Sequence, residues 1–328
     1  VGMAYSMIAT KPGGPEVLVK NEFEVPAPDT GEILIRQTAI GVNFIDIYFR
    51  TGLYPWPVDD SLVLGSEAAG VIEAVSPDVK GFSVGDRVVY TLPNNAYTTH
   101  RIIDAQHIVL IPEGISDETA AASILKGLTT YYLLHNSFHL TDEQSVLFHA
   151  AAGGVGLIAG QWMKSLGVNA IGTAGSDEKC DLALKHGYAQ MINYNNEDFV
   201  SRTMELTNGA GVDVVYDSVG KDTYPGSLHC LTKFGTTVNF GQSSGPVTDF
   251  KLADLAVGSY TVTRPILYHF TADREWLENA ARSLFELILK GDLKISINQT
   301  LRLDQAADAH RMLEARKTTG CTILLPLN

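Results

Sequence analysis

Leu147-Phe-His-Ala-Ala-Ala-Gly-Gly-Val-Gly156 reads as the end of an apolar strand, a turn of small residues and the opening of a helix. The spacing is Ala151-x-Gly153-x-x-Gly156, with Ala in the first position of the G-x-G-x-x-G fingerprint. Gly153 lets the backbone approach a pyrophosphate, and Gly156 lets the helix lie close against the strand. The helix start then offers free N–H donors at the positive end of its dipole. A glycine pattern alone carries little. Between a predicted strand and a predicted helix, at the head of an alternating run, it points to dinucleotide binding. The competing reading is a tight strand-to-helix turn with no ligand.

Downstream, apolar strands at 146–149, 170–174, 191–193, 212–217 and 236–240 alternate with helical patterns at 155–166, 177–186, 197–207 and 224–231. This alternation predicts a doubly wound parallel sheet with helices on both faces. The second strand, Ala170-Ile-Gly-Thr-Ala174, ends without the carboxylate that would grip the ribose 2′-hydroxyl of NAD and repel the 2′-phosphate of NADP. Gly175 and Ser176 follow, with Lys179 one turn later. Small residues leave room, Ser donates and Lys offsets charge, so the pattern favours NADP. Asp177 and Glu178 read as first-turn acids of a helix capped by Ser176, and Lys179 alone also fits a solvated helix face.

Upstream, short β-rich runs at 32–40, 68–75 and 87–90 are separated by Gly, Pro and Asp, which suits a compact β-barrel. Helices are expected at 120–125 and 128–136. Near the C-terminus, Trp276, Leu277, Ala280, Ala281, Leu284, Leu287 and Ile288 recur at helical spacing before Gly291. A helix at 306–315 and a strand at 321–325 close the chain. The expected fold class is α/β, with a barrel-like domain interrupted by the doubly wound one. Its expected segments are 1–127, 128–268 and a returning tail, 269–328.

A length of 328 residues suits about two domains. Against 24 Lys and Arg stand 37 Asp and Glu, a formal charge of −13, which disfavours nucleic acid and anionic membranes as general partners. Cys180, Cys230 and Cys321 are odd in number and scattered, so no disulfide framework or Cys-rich zinc module is expected. Without a membrane-length apolar run or a signal-peptide pattern in the first residues, a cytoplasmic protein is expected.

Gly41-Val-Asn-Phe-Ile-Asp-Ile-Tyr48, Gly52-Leu-Tyr-Pro55, Gly65-Ser-Glu-Ala-Ala-Gly70, Gly85-Asp-Arg-Val88, Leu125-Lys-Gly-Leu-Thr129 and His149-Ala-Ala-Ala-Gly-Gly-Val-Gly156 together resemble the zeta-crystallin-type quinone oxidoreductases. These form a zinc-independent branch of the medium-chain dehydrogenase/reductase superfamily. The resemblance runs on through Tyr216-Asp-Ser-Val-Gly220 and Asn239-Phe-Gly-Gln-Ser-Ser-Gly245 to Arg316. It implies a GroES-like catalytic domain, a Rossmann domain, NADPH as hydride donor and a quinone acceptor in a cleft between the domains.

By motif, Asn43, Asp46 and Tyr48 match the loop beside the nicotinamide, and Tyr54 matches a tyrosine at the pocket mouth. Thr129 matches a threonine near the cofactor, and Gly153, Gly154 and Val155 match the pyrophosphate turn. Ser176, Lys179 and Tyr194 match 2′-phosphate and adenosine contacts. Ser218 matches the residue after the fourth strand. Phe240, Gly241 and Ser243 match the loop facing the nicotinamide, and Arg316 matches an arginine reaching the phosphates. Tyr48 and Tyr54 read equally as acceptor contacts or as loop packing. Zinc-dependent relatives carry Cys in the first loop and Gly-His-Glu in the second. Here Ser66 stands in place of the His, so no metal site is expected.

Three rivals remain in view. An NADPH-dependent reductase of activated C=C bonds would share fold and cofactor. Gly241-Gln-Ser243-Ser-Gly245 fits the hydrolase G-x-S-x-G elbow, but Pro246 follows where a helix must begin. A non-catalytic NADPH- or RNA-binding role is the third. A homodimer is expected, with Tyr260-Thr-Val-Thr263 read either as a sheet edge or as an internal strand.

Overall fold

The computed structural model describes residues 3–326, so the outer limits of the first and last expected segments lie outside the described residues. Contacts divide the chain into two units. Residues 127–270 and 290–294 form one, and 1–126, 271–289 and 295–328 form the other.

In the unit around 127–270, six parallel strands lie in the order Gln190–Asn193, Ala170–Ala174, Val146–Phe148, Val212–Asp217, Leu231–Asn239, Thr261–Thr263. Numbered along the chain this is 3-2-1-4-5-6, the doubly wound order whose direction reverses between Val146–Phe148 and Val212–Asp217. Ligands of such sheets sit beyond the carboxyl ends of the strands at that reversal. The core joins Leu147, Ile171, Ile192, Val212, Val215 and Leu228. Gln161 clips 290–294 to this unit, accepting from the Lys294 N–H at 2.8 Å and donating to its carbonyl at 3.0 Å. Thr261–Thr263 is an edge strand, which decides between the two readings of that segment.

The helix Asp117–Tyr132 is continuous, followed by a π-helical turn, Leu133–Ser137, where two helices were expected. Gly127 costs a helix interior about 1 kcal/mol. The buried face of Ala120, Ala121, Ile124 and Leu128 packs on both sides of it and overrides that preference. Leu231–Asn239 begins five residues ahead of the expected strand. A register shift between Val212 and Val214 and a left-handed Phe234 hide its first half from the period-two pattern.

In the other unit, Glu32–Val42 is the central strand. It pairs antiparallel with Glu67–Val75, His100–Asp104 and the C-terminal Cys321–Leu325. A three-stranded sheet of Leu18–Glu22, Tyr5–Ala9 and Leu62–Val63 accompanies it. Ile33, Ile35, Ile72, Val88 and Tyr90 share a core with Leu303, Ala306, Ala309 and Leu324, so the tail is integral to this unit.

Candidate active site

The candidate nucleotide seat lies at the ends of the first two parallel strands. After Phe148 the chain turns through Ala150, whose φ is +54°, and enters the helix Gly154–Ser165 with Gly153 as N-cap. A Gly cap brings no side chain to the first-turn amides, which therefore remain donors for a ligand. A Cβ on Gly156 would overlap the Ala150 carbonyl oxygen and stand 2.6 Å from the Ala151 carbonyl, so the helix packs backbone to backbone on the turn that follows the strand. Val155 and Gly154 are part-exposed on the same turn.

Beyond Ala174, the Ser176 hydroxyl accepts from the Lys179 N–H at 3.2 Å and caps the helix Asp177–Leu184. Its hydrogen is left to donate. The Tyr194 ring lies over Gly175, where a Cβ would stand 2.6 Å from its hydroxyl. The Asp177 carboxylate accepts from Asn193 Nδ2 at 2.9 Å. Gly175, Ser176 and Tyr194 thus lie together at the end of the second strand, with Lys179 tied to them through its backbone N–H and no carboxylate on the strand itself. These residues fit an adenine dinucleotide bearing a 2′-phosphate.

At the end of the fourth strand, Asp217 is fully buried. It accepts from Val219 and Gly220 N–H groups at 2.9 and 3.0 Å and from the Thr223 and Ser227 hydroxyls at 2.7 and 2.8 Å. His149 bonds Ser227 at 3.0 Å and Thr173 at 2.8 Å, and burial holds its pKa below the usual histidine range. This knot ties the strand ends together. Above it, the Ser243 N–H donates to the Ser218 carbonyl at 3.1 Å, and Gly241 packs on the same carbonyl. Phe240 rests against Phe148 with centroids 6.0 Å apart. No helix follows Ser243, since residues 240–251 are irregular; the nucleophile elbow is absent. Thr129 is buried on Asp117–Tyr132.

A second group of the expected site residues lies on Phe44–Arg50 in the other unit. Asn43 is its N-cap, Asp46 stands in its first turn and Arg50 in its last, each where the helix favours it. Asn43 Nδ2 donates to Glu67 Oε1 at 3.0 Å, and the Asn43 N–H donates to Asp46 Oδ2 at 3.0 Å. Tyr48 and Tyr54 lie with ring centroids 5.3 Å apart, and Phe44 stacks on Tyr48. Tyr48 and Tyr54 therefore pack as one aromatic surface, which Asn43 precedes as N-cap of the same helix. Asp46 does not reach it: its carboxyl is fully buried and bonded inward. Burial raises its pKa to about 7, against the hydrogen bonds of Tyr97 and Asn43. Arg316 sits in an exposed turn of this unit with a left-handed backbone.

Sequence reasoning quoted Glu67 and Lys126 inside motifs without giving them a role. Glu67 is fully buried and accepts from Lys126 Nζ at 2.8 Å and from the Leu125 N–H at 2.7 Å. Gly41 is obligatory beside it, since a Cβ there would overlap the carboxylate. Among the described residues, no three His, Cys, Asp or Glu side chains cluster to hold a metal. The Glu67 carboxylate is spent on Asn43, Lys126 and a backbone amide, so this donor set does not fit zinc.

Two family models match the chain: an alcohol dehydrogenase GroES-like domain over residues 29–128 and a zinc-binding dehydrogenase over 154–285. A quinone oxidoreductase of Pseudomonas aeruginosa is 50% identical over 316 residues, covering 96% of this chain and 97% of that protein. The solved Escherichia coli quinone oxidoreductase complexed with NADPH is 47% identical, with a TM-score of 0.95 over 98% of this chain and all of that one. A 2-haloacrylate reductase of Burkholderia is 40% identical over 99% of both chains. No helix of the described residues is long and apolar enough to cross a membrane.

Proposed function

The chain belongs to the quinone oxidoreductase family of the medium-chain dehydrogenase/reductase superfamily, and we propose that it reduces quinones with NADPH and without a resident metal. The observation that carries the cofactor assignment is the seat at Gly175, Ser176, Lys179 and Tyr194, where the strand ends in Ala174 rather than an acid. Bound there, NADPH supplies a hydride from its nicotinamide.

The chain's own residues bind, orient and shield. Gly153, Gly154 and Val155 present amides to the pyrophosphate. Ser176 donates its remaining hydrogen to the 2′-phosphate while its lone pair keeps the helix capped. Ser218, Phe240, Gly241, Ser243 and Thr129 shape the nicotinamide side, and Arg316 offsets phosphate charge. Tyr48 and Tyr54, tilted 53° to one another, give the acceptor an aromatic wall, and Asn43 offers it an amide. Asp46 serves by holding Asn43. A quinone ring delocalises incoming charge itself, so the protein's contribution is positioning and the exclusion of water.

The test is reduced-nicotinamide consumption with NADPH and NADH against ortho-quinones, para-quinones, enals and haloacrylates. NADPH-selective quinone turnover is expected. Turnover of C=C substrates alone would move the reading to the branch that the haloacrylate reductase represents. Ser176→Asp keeps the helix cap and puts a negative charge in the 2′-phosphate seat. With a hydrogen bond to a charged group worth about 1.5–3 kcal/mol, kcat/KM for NADPH should fall roughly 10²-fold while that for NADH holds or rises.

A homodimer is supported by the edge strand Thr261–Thr263 and its apolar surroundings, where Phe234, Leu252 and Val257 are each more than three-quarters exposed. Light scattering at micromolar concentration should give twice the chain mass, and Leu252→Asp with Val257→Asp should give the monomer. Cys180, Cys230 and Cys321 are unpaired and buried, which suits a reducing compartment such as the cytoplasm.

A further inference from the structure

Behind the Asn43–Tyr48 face runs a chain of buried polar groups that the reaction described above does not use. Arg50, in the last turn of its helix, is 1% exposed. Its Nη1 lies 2.8 Å from His310 Nδ1 and 2.6 Å from Glu314 Oε1, and its Nε donates to the Gly13 carbonyl at 3.0 Å. His310 Nε2 lies 2.9 Å from the Tyr97 hydroxyl, which donates to Asp46 Oδ2 at 2.7 Å. His310, Tyr97 and Asp46 have no exposed surface.

The donors fix the direction of every bond. A guanidinium can only donate, so Nδ1 of His310 accepts and Nε2 carries the hydrogen. Burial and the adjacent Arg50 charge push the His310 pKa down to about 3, so the ring is neutral. With its Nδ1 lone pair occupied by Arg50, His310 cannot pass a proton along. Tyr97 accepts from His310 and uses its own hydrogen on Asp46. Four groups therefore point one way, each bond polarising the next, and the last carboxylate oxygen is also the acceptor for the Asn43 N–H.

We propose that Arg50, His310 and Tyr97 are positioning residues of the reductase: a one-way hydrogen-bond chain that aims donors at Asp46 and so fixes Asn43 on the acceptor face. The inference rests on the placement of Asn43 in the acceptor site. Asp46 is faced by Asn43 from its own turn, by Tyr97 from the segment 92–99, and by the charges of Glu67 and Lys126. Tyr97 and Asn43 favour its ionised form. Tyr97 and the Asn43 N–H share Oδ2, whereas Oδ1 is buried without a partner. A proton taken up on Oδ1 removes the charge and weakens Oδ2 as their acceptor, so the acid limb of the activity profile reports on the chain.

The test uses Tyr97→Phe, His310→Leu and His310→Gln in the full-length chain, with NADPH titrated separately by fluorescence. Gln can accept from Arg50 and donate to Tyr97, as the neutral ring does; Leu can do neither. Tyr97→Phe removes one hydroxyl and is the variant to rely on should His310→Leu fail to fold. In Tyr97→Phe and His310→Leu, kcat should fall at least tenfold at unchanged NADPH affinity, and the acid limb should move to higher pH. His310→Gln should restore both. Amide exchange at Asn43, read by NMR, should quicken in the first two variants and not in the third. Wild-type exchange and an unmoved acid limb in folded Tyr97→Phe would overturn the proposal. Absence of quinone turnover in the wild type would overturn the functional reading instead and leave the exchange test standing.

Discussion

Glu67→Ala should lower the thermal midpoint of the unit that contains it by on the order of 10 °C, through the loss of about 3–5 kcal/mol that follows when a buried ion pair is broken from one side. Glu67 has no exposed surface, and Lys126 is 4% exposed. Burial pulls the Lys126 pKa down, and the Glu67 carboxylate more than reverses this, leaving the pKa above the usual lysine range. Removing the carboxylate strands that ammonium and takes one acceptor each from the Leu125 N–H and the Asn43 amide in one step. Because the folded pKa of Lys126 is raised, its stabilising contribution is complete below the unfolded value of about 10.4 and is lost as pH rises through the folded one. The deficit of Glu67→Ala should therefore be full at neutral pH and shrink only in strong alkali. Glu67→Gln combined with Lys126→Met should recover part of the midpoint, since an apolar replacement carries no stranded charge. A shift below 2 °C in Glu67→Ala by calorimetry would show that the pair is not the anchor described.

Gly156→Ala should lower NADPH affinity and cut turnover about 10²-fold, the penalty of a displacement of roughly 1 Å in the reacting geometry. The atoms its Cβ would meet belong to the backbone of Ala150 and Ala151, and no side chain there can rotate away. The helix Gly154–Ser165 must lift from the turn at Ala150–Ala151, carrying the first-turn amides with it. Gly153→Ala is the informative companion. Its Cβ would stand 3.3 Å from the Ala150 carbonyl, which a small adjustment accommodates. Gly156→Ala should lower both the midpoint and the affinity, and Gly153→Ala the affinity alone. Equal effects of the two variants on stability would contradict the backbone-to-backbone contact.

The nucleotide half could be read from sequence because its signals are contiguous. A strand, a small-residue turn and a helix occupy ten adjacent residues, and the cofactor preference sits within six more at 174–179. The acceptor half was legible only as residue names. Its chemistry depends on partners far apart along the chain: Arg50 meets His310 across 260 positions and Asn43 meets Glu67 across 24. A lone histidine in an amphipathic helix carries no mark of such a partner. Asp46 shows the other limit of a one-dimensional reading. Its motif is evident from sequence, whereas its complete burial goes with Tyr97, which reaches it from 51 residues further along the chain.

The return of the tail also orders the birth of the protein on the ribosome. Residues 127–270 make up nearly all of the nucleotide-binding unit, so that unit can form while the remaining chain is still being made. The acceptor unit begins first and finishes last. Its central strand Glu32–Val42 waits for Cys321–Leu325, and the Asp46 chain waits for His310. At about 5–20 residues per second, the early strands stand for tens of seconds with one edge open while the nucleotide-binding unit folds. Recruitment of a chaperone to nascent chains should therefore centre on this exposed first third, and a stalled or clipped C-terminus should yield a product able to hold cofactor with nowhere to seat an acceptor.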